Sequence, residues 1–147
     1  MNAIGGVVWD EPDRWAELLA ERTCPICVEG PGCVVVERRT SWITSYERVP
    51  VRGYVCVVAK RHVVEPFELR GEGRAAFCED VLDAAERVAA LVRPIKVNYE
   101  IHGNSIPHLH AHVYPRFRGD RFVGGPIDTH CEPVENVDLA TLRRALA

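Results

Sequence analysis

Apolar residues recur along the chain with the two periods that mark strands and helices. Residues 33–39 and 41–46 are rich in β-branched and aromatic side chains, which predicts two strands that pair as a hairpin. Residues 53–59 are apolar at nearly every position, so we expect a central strand with both faces covered. Further strands are predicted at residues 95–101 and 108–115, which completes a set of five.

The longest helix is predicted between residues 73 and 92. Its apolar positions follow the three-four spacing of a buried stripe, and they are Phe77, Val81, Ala84, Ala85, Val88 and Leu91. Pro94 ends this helix because proline cannot continue the hydrogen-bond ladder. The order of elements indicates an α+β fold, in which one long helix packs on an antiparallel sheet of about five strands.

The remaining segments are interpreted from capping and turn residues. Short terminal helices are predicted, with Asp10 as cap for residues 13–20 and with Asn136 or Asp138 as cap for residues 137–147. Residues 23–32 are rich in Pro and Gly, so no regular structure is expected there. Residues 116–133 are predicted to form a glycine- and charge-rich loop that lines a pocket.

Composition narrows the classes of partner. The 147 residues suit a single domain, and the net charge of −3 gives no reason to expect duplex nucleic acid. No stretch approaches the roughly eighteen apolar residues that span a bilayer, so no membrane partner is expected. Residues 1–9 lack the basic start and apolar run of a secretory signal. The six cysteines then favour the reducing cytoplasm over a disulfide framework.

Three histidines alternate with apolar residues in the last predicted strand. Side chains two residues apart on a strand lie on the same face, about 6.6–7 Å from each other. We therefore expect His108, His110 and His112 to face one way. The residues between and after them face the core in this interpretation, and they are Leu109, Ala111 and Val113.

Two kinds of chemistry fit this histidine face. Histidines two apart on a strand can hold a metal ion, but such a site would need a glutamate shortly afterwards, and Arg116 and Arg118 follow instead. Two arginines favour an anion, most naturally phosphate. Neutral imidazole attacks phosphorus through one ring nitrogen when the other is held as a donor. A neighbouring histidine can then donate to a non-bridging oxygen.

The turn before the strand supports the phosphate interpretation. Residues 103–107 read Gly-Asn-Ser-Ile-Pro and offer the Asn104 amide, the Ser105 hydroxyl and backbone N–H groups beside the histidines. Such a turn can surround phosphate oxygens, and Ser105 can assist the leaving group. His102 precedes this turn and His130 lies in the late loop, and both are expected to be ordinary loop histidines.

Residues 103–116 resemble the signature of the histidine triad (HIT) superfamily, His-x-His-x-His followed by two apolar residues. Residues 96–116 are most similar to the branch described as diadenosine polyphosphate hydrolase-like. The run Ala59-Lys60-Arg61-His62 also matches the pattern of that superfamily. The resemblance covers roughly residues 24–120 and implies a single HIT-like domain over residues 1–147, with residues 121–147 as its tail.

This resemblance implies a covalent mechanism at the α-phosphate of a nucleotide. His110 matches the nucleophile that becomes nucleotidylated, and His112 matches the histidine that contacts the scissile phosphate. Asn104 and Ser105 match phosphate-binding positions, and Asn98 falls where many relatives place a polar residue that binds phosphate or ribose. The implied substrate is a diadenosine polyphosphate or a nucleoside phosphoramidate, and a polyphosphate would bring Mg²⁺ with it.

One departure concerns the nucleotide itself. Many relatives have an asparagine for ribose shortly before the Gly-His that corresponds to Gly53-Tyr54, whereas residues 44–48 here read Thr-Ser-Tyr-Glu-Arg. Base specificity and leaving group therefore stay open. So does oligomeric state, since many relatives form homodimers. The alternative function is a nucleotide-binding regulatory module with slow or no turnover, although such a module would have no need of His110.

Cys24 and Cys27 are spaced by two residues in a turn, which is typical of half a tetrahedral zinc site. Two more ligands are needed, and in zinc-bearing members of the superfamily these resemble His62 and His108. The resemblance therefore implies a structural Zn²⁺ on all four residues. The alternative is a pair of reduced cysteines packed in a turn. The helix cysteine, Cys78, is expected to be a small core residue.

Overall fold

The computed structural model describes residues 7–147, and within them the chain forms four α-helices, one 3-10 helix and seven strands. The helices are α1 (Pro12–Leu18), α2 (Pro25–Glu29), α3 (Gly71–Val92) and α4 (Leu139–Leu146), with the 3-10 turn at Pro66–Glu68. The strands are β1 (Val34–Glu37), β2 (Ser41–Thr44), β3 (Arg48–Val49), β4 (Val55–Ala59), β5 (Lys96–Glu100), β6 (His110–Arg116) and β7 (Val134–Glu135). Residues 1–6, on which part of the expectation about an export signal rests, lie outside the described residues.

The main sheet has five antiparallel strands in the order β1-β2-β4-β6-β5. All five residues of β4 are buried, as the apolar run predicted. The register between β4 and β6 places Val58 opposite His110 and Cys56 opposite His112. The predicted α+β fold with one long helix is confirmed, and β4 sits at the centre of the sheet beside the histidine strand.

Alternate residues of β4 and β6 enter two separate hydrophobic cores, because successive side chains of a strand point to opposite faces. On one face, α3 and α4 cover the sheet, and Leu109, Ala111 and Val113 pack there as predicted. On the other face, a smaller core forms around residues of the strands and late loop, and they include Tyr54, Cys56, Val58, Tyr114 and Ile127. The side chains of His110 and His112 belong to this second face, which no long helix within residues 7–147 covers.

Three local expectations are wrong. Residues 25–29 form a short helix, α2, since Pro25 occupies the first helical turn, where its missing N–H costs nothing. The N-cap of α1 is Glu11 rather than Asp10, and no side chain of the part of the chain that the structure describes caps that helix. Cys78 is exposed on α3 and not part of the core. Strand β6 begins at His110, two residues after its expected start, so His108 lies in the turn just before the strand.

The carboxy-terminal tail contributes to both cores. Strand β7 pairs with β3 in a two-stranded sheet, and Leu142 of α4 is fully buried against the α3 side. Asp138 caps α4 by accepting a hydrogen bond from the Thr141 backbone N–H, which confirms one of the two predicted caps. Among the described residues, no helix combines the length and apolar character required to cross a membrane.

Candidate active site and metal centre

Four side chains from three distant segments meet beside the start of β6. Cys24 and Cys27 flank the first turn of α2, His62 follows β4, and His108 lies in the turn before β6. One ligand atom from each of them lies within 4.8 Å of all the others. The four residues predicted from the sequence are therefore brought together, and they will be called the Cys₂His₂ cluster.

The distances in the Cys₂His₂ cluster fit a tetrahedral ion. Zinc with Zn–N bonds of about 2.0–2.1 Å and Zn–S bonds of about 2.3 Å would separate two nitrogens by about 3.3 Å and nitrogen from sulfur by about 3.6 Å. The two histidine Nδ1 atoms are 3.3 Å apart. His108 Nδ1 lies 3.4 Å from Cys24 Sγ and 3.6 Å from Cys27 Sγ, and His62 Nδ1 lies 3.3 Å from Cys27 Sγ.

The second nitrogen of each cluster histidine is held by a backbone carbonyl. His108 Nε2 donates to Ala59 O over 2.7 Å, and His62 Nε2 donates to Leu19 O over 2.8 Å. A carbonyl oxygen only accepts, so the proton of each neutral ring lies on Nε2 and the lone pair on Nδ1. Outer hydrogen bonds of this kind fix the tautomer and orientation of metal-binding histidines. The donor set and its geometry can therefore hold a metal ion.

A cavity of about 830 Å³ opens on the same face of the sheet. His110 and His112 form part of its wall, and Asn104 and Ser105 of the preceding turn form another part. Gly103 begins this turn with a φ of 65°, a left-handed conformation that favours glycine. The structure thus brings four of the predicted catalytic and substrate-binding residues to one cavity of the size typical for small-molecule sites.

The orientation of His110 is set by its own strand. Its Nδ1 donates to the backbone carbonyl of His108 over 2.7 Å, which leaves the lone pair on Nε2. Burial lowers the pKa of His110 below its ordinary value, although the bond to that carbonyl opposes the shift. The ring is therefore neutral near pH 7 and has the form that a histidine nucleophile requires.

His112 has a partner that the sequence did not single out. Its Nδ1 lies 2.9 Å from the hydroxyl of Tyr54, and the two rings are stacked with centroids 5.9 Å apart. Burial raises the pKa of Tyr54 well above its ordinary value, so the hydroxyl stays protonated and is able to donate to His112 Nδ1. When it does so, the ring proton of His112 lies on Nε2. Burial, with His110 and His102 nearby, lowers the pKa of His112 to about 3, so this ring also is neutral.

The expected role of the arginines is wrong. Arg116 makes two hydrogen bonds of 2.8 and 2.7 Å to the Asp120 carboxylate and a third of 2.7 Å to Phe122 O. Its charge is already paired, so it does not supply an open cation for phosphate. Arg118 is exposed and, like Arg116, does not line the cavity. The phosphate interpretation then depends on the histidines and the turn.

Asn98 is the one predicted substrate-binding residue that the structure leaves outside the cavity wall. It lies on β5 opposite Tyr114, and its side-chain oxygen accepts a hydrogen bond from Lys96. Two residues further on, Glu100 does line the cavity, and its carboxylate lies 2.9 Å from His102 Nε2. His102 lies in an exposed loop, as expected, and it also forms part of the cavity wall.

Helices cover one face of the antiparallel sheet, and the other face carries alternating histidines at a cavity. This arrangement defines the histidine triad class of fold. Residues 29–119 match the family model described as the HIT domain. The chain belongs to the HIT domain family.

Individual relatives agree with this assignment. "Protein hit" from Bacillus subtilis is 28% identical over 102 residues, which cover 65% of this chain and 70% of that protein. A histidine triad protein from Bradyrhizobium japonicum superposes with a TM-score of 0.68 at 20% identity, covering 78% of this chain and 90% of its own. A Zn-bound histidine triad family protein from Mycobacterium smegmatis gives a TM-score of 0.63 at 22% identity, covering 86% and 95%. These two structures are similar in fold.

Proposed function

We propose that this protein is a nucleotide hydrolase or nucleotidyl transferase that cleaves at an α-phosphate through a covalent intermediate on His110. The observation that carries the proposal is the hydrogen bond from His110 Nδ1 to the His108 carbonyl, because it leaves Nε2 as an unprotonated nucleophile. The diadenosine polyphosphates and nucleoside phosphoramidates are the substrate classes to which the resemblance points. The compartment proposed for this activity is the cytoplasm.

The proposed reaction has two displacements. His110 Nε2 attacks phosphorus, and the bond to the leaving group breaks as the new P–N bond forms. The Nε2–H of His112 and the groups of residues 103–105 donate to the non-bridging oxygens, where charge develops in the transition state. Water then attacks the nucleotidyl-histidine, releases the nucleoside monophosphate and returns the electron pair to His110. A polyphosphate substrate would bring its own Mg²⁺.

The test is turnover of both substrate classes together with mass spectrometry of the quenched protein. We expect nucleoside monophosphate as product and a nucleotidyl adduct on the peptide that contains His110. The His110→Ala variant should lose both signals while circular dichroism shows an unchanged fold. Binding of nucleotide without product or adduct would instead identify a regulatory module, and full activity of His110→Ala would refute the mechanism.

We also propose that the Cys₂His₂ cluster holds one structural Zn²⁺. What supports this is the agreement of four ligand distances with a tetrahedral site and the carbonyl partner behind each imidazole. The ion would connect α2 to the segment that follows β4 and to the turn that precedes β6, and it would so contribute to folding. Metal analysis should find one zinc per chain, and Cys24→Ser should lose it and lower Tm. The exposed Cys78 is the matched control, since Cys78→Ser should retain the metal.

A homodimer is a further part of the proposal. Strand β5 is an edge of the main sheet, and Ile95, Tyr99 and Ile101 are exposed on or beside it. An apolar edge strand is a ready surface for pairing with a second copy. Sedimentation at several concentrations should detect a dimer that Tyr99→Lys weakens, and a monomer at every concentration would exclude it.

A further inference from the structure

Glu100 and His102 form a hydrogen-bonded pair in the wall of the cavity, at the end of β5. His102 Nε2 lies 2.9 Å from Glu100 Oε2, and because a carboxylate only accepts, the ring donates through Nε2. The His102 side chain is 48% exposed, whereas that of Glu100 is only 12% exposed. The ring of His102 lies 6.3 Å from that of His112, centroid to centroid, so the pair stands beside the proposed phosphate site.

The carboxylate of this pair is fixed from a second direction. Glu100 Oε1 accepts a 3.4 Å hydrogen bond from the Ile127 backbone N–H, and Ile127 is a buried member of the core on this face. An ordinary surface ion pair has two mobile partners and contributes little to stability. Here the acid is largely buried and held in place, and the half-exposed imidazole lies beside it in the cavity wall. That is the arrangement of an oriented acid–base histidine.

The ring nitrogen that does not face Glu100 is the chemically important one. With Nε2 committed to the carboxylate, Nδ1 of His102 carries a proton when the ring is charged and a lone pair when it is neutral. His110 and His112 cannot supply a proton in this way, since both are held neutral by burial and each has Nδ1 in a fixed hydrogen bond.

We propose that His102, oriented by Glu100, is the acid that protonates the leaving group in the first displacement. This inference rests on the proposed function. As the lone pair of His110 Nε2 forms the P–N bond, the bond from phosphorus to the leaving atom breaks and its electron pair stays on that atom. The Nδ1 proton of His102 passes to the same atom, and the ring becomes neutral. In the second displacement His102 takes a proton from the attacking water and regains its charge, which balances the cycle.

The test compares two substrates that share a nucleoside α-phosphate and differ only in the leaving group. A p-nitrophenyl ester expels a stabilised phenolate, which needs no proton, whereas a phosphoramidate of a simple alkylamine must protonate its strongly basic nitrogen. The quantity to measure is kcat/KM, because it reports the steps up to the first displacement. For His102→Gln we expect a loss of about 100-fold with the phosphoramidate and of less than about threefold with the p-nitrophenyl ester.

Glu100→Gln keeps the size of the side chain, removes its charge and should show the same selectivity with a smaller loss. An equal loss with both substrates would overturn the inference, since it would mean that His102 only positions the nucleotide. Unchanged kcat/KM with the phosphoramidate would overturn it as well. These outcomes differ from failure of the proposed function itself, in which the unaltered protein would turn over neither substrate and form no adduct on His110.

Discussion

Replacing Tyr54 by Phe removes a single oxygen atom and tests whether the tautomer of His112 matters. Tyr54 is 6% exposed, and its hydroxyl lies 2.9 Å from His112 Nδ1, within reach to donate to it. Its ring also stacks on that of Tyr114 with centroids 4.9 Å apart. A phenylalanine ring retains both stacking contacts and deletes only the donor, so the substitution separates hydrogen bonding from packing.

The expected loss of activity depends on the unpaired nitrogen that the removal of the hydroxyl leaves on His112. His112 Nδ1 becomes a buried acceptor without a donor, and such a group costs about 1–3 kcal/mol. The ring can avoid this cost by moving its proton to Nδ1 or by rotating, and either change removes the Nε2–H that should face the phosphate. A loss of about 1.4–2.8 kcal/mol of transition-state stabilisation corresponds to a decrease in kcat of about 10–100-fold.

The assay is steady-state kinetics of Tyr54→Phe with the substrate that the unaltered protein turns over best. We expect kcat to fall with little change in KM, because the lost interaction strengthens in the transition state. Tyr99→Phe is the matched control, since that hydroxyl is removed from an exposed edge strand away from the cavity. If Tyr54→Phe retains the full kcat, the hydrogen bond does not set the catalytic form of His112 and the reasoning is wrong.

Three further substitutions test the framework around the site. Asp120→Asn should cost about 1–2 kcal/mol of unfolding free energy at neutral pH by losing its paired bonds to Arg116. That hydrogen bonding lowers the pKa of Asp120 to about 2, so the difference between the two proteins in denaturant melts should persist above about pH 4 and disappear as the pH falls through about 2. Asn136→Ala should lower the denaturation midpoint by the equivalent of about 2–3 kcal/mol, since the amide oxygen accepts from Gly53 N–H over 2.7 Å and the amide nitrogen donates to three further oxygens. Leu142→Ala should cost about 2–5 kcal/mol in the same melts by leaving a cavity at a fully buried position, and a cost below 1 kcal/mol would show that α4 does not anchor the core.

Periodicity was enough to predict the central elements of this fold. The apolar run that became β4 and the three-four stripe of α3 each depend on rules that act within one segment, and both were placed correctly. The same local rule placed Ala111 and Val113 in the core and turned His110 and His112 to the other face. Residue spacing in the sequence therefore carries the orientation of side chains along a single strand.

Contacts between segments were predicted less well, because they depend on register and loop geometry. The bond between Tyr54 and His112 arises where the start of β4 meets β6, and no pattern within either strand marks it. The position of Arg116 just after the histidines suggests a phosphate contact, but its actual partner, Asp120, lies in a loop whose path periodicity does not predict. The Cys₂His₂ cluster is the exception. It joins three segments, but the family resemblance supplied the partners that spacing alone did not.

His108 links the two halves of the site through different parts of the same residue. Its side chain belongs to the Cys₂His₂ cluster and is anchored to Ala59 O, whereas its backbone carbonyl accepts the Nδ1–H of His110. A shift of the cluster must therefore move the carbonyl that fixes the proposed nucleophile. Loss of a more distant ligand, as in His62→Ala, should then lower kcat/KM by the same factor for every leaving group, because it disturbs the attack on phosphorus. This uniform loss contrasts with the selective loss expected for His102→Gln. Measuring both variants with the same pair of substrates therefore distinguishes residues that support the nucleophile from the residue that protonates the leaving group.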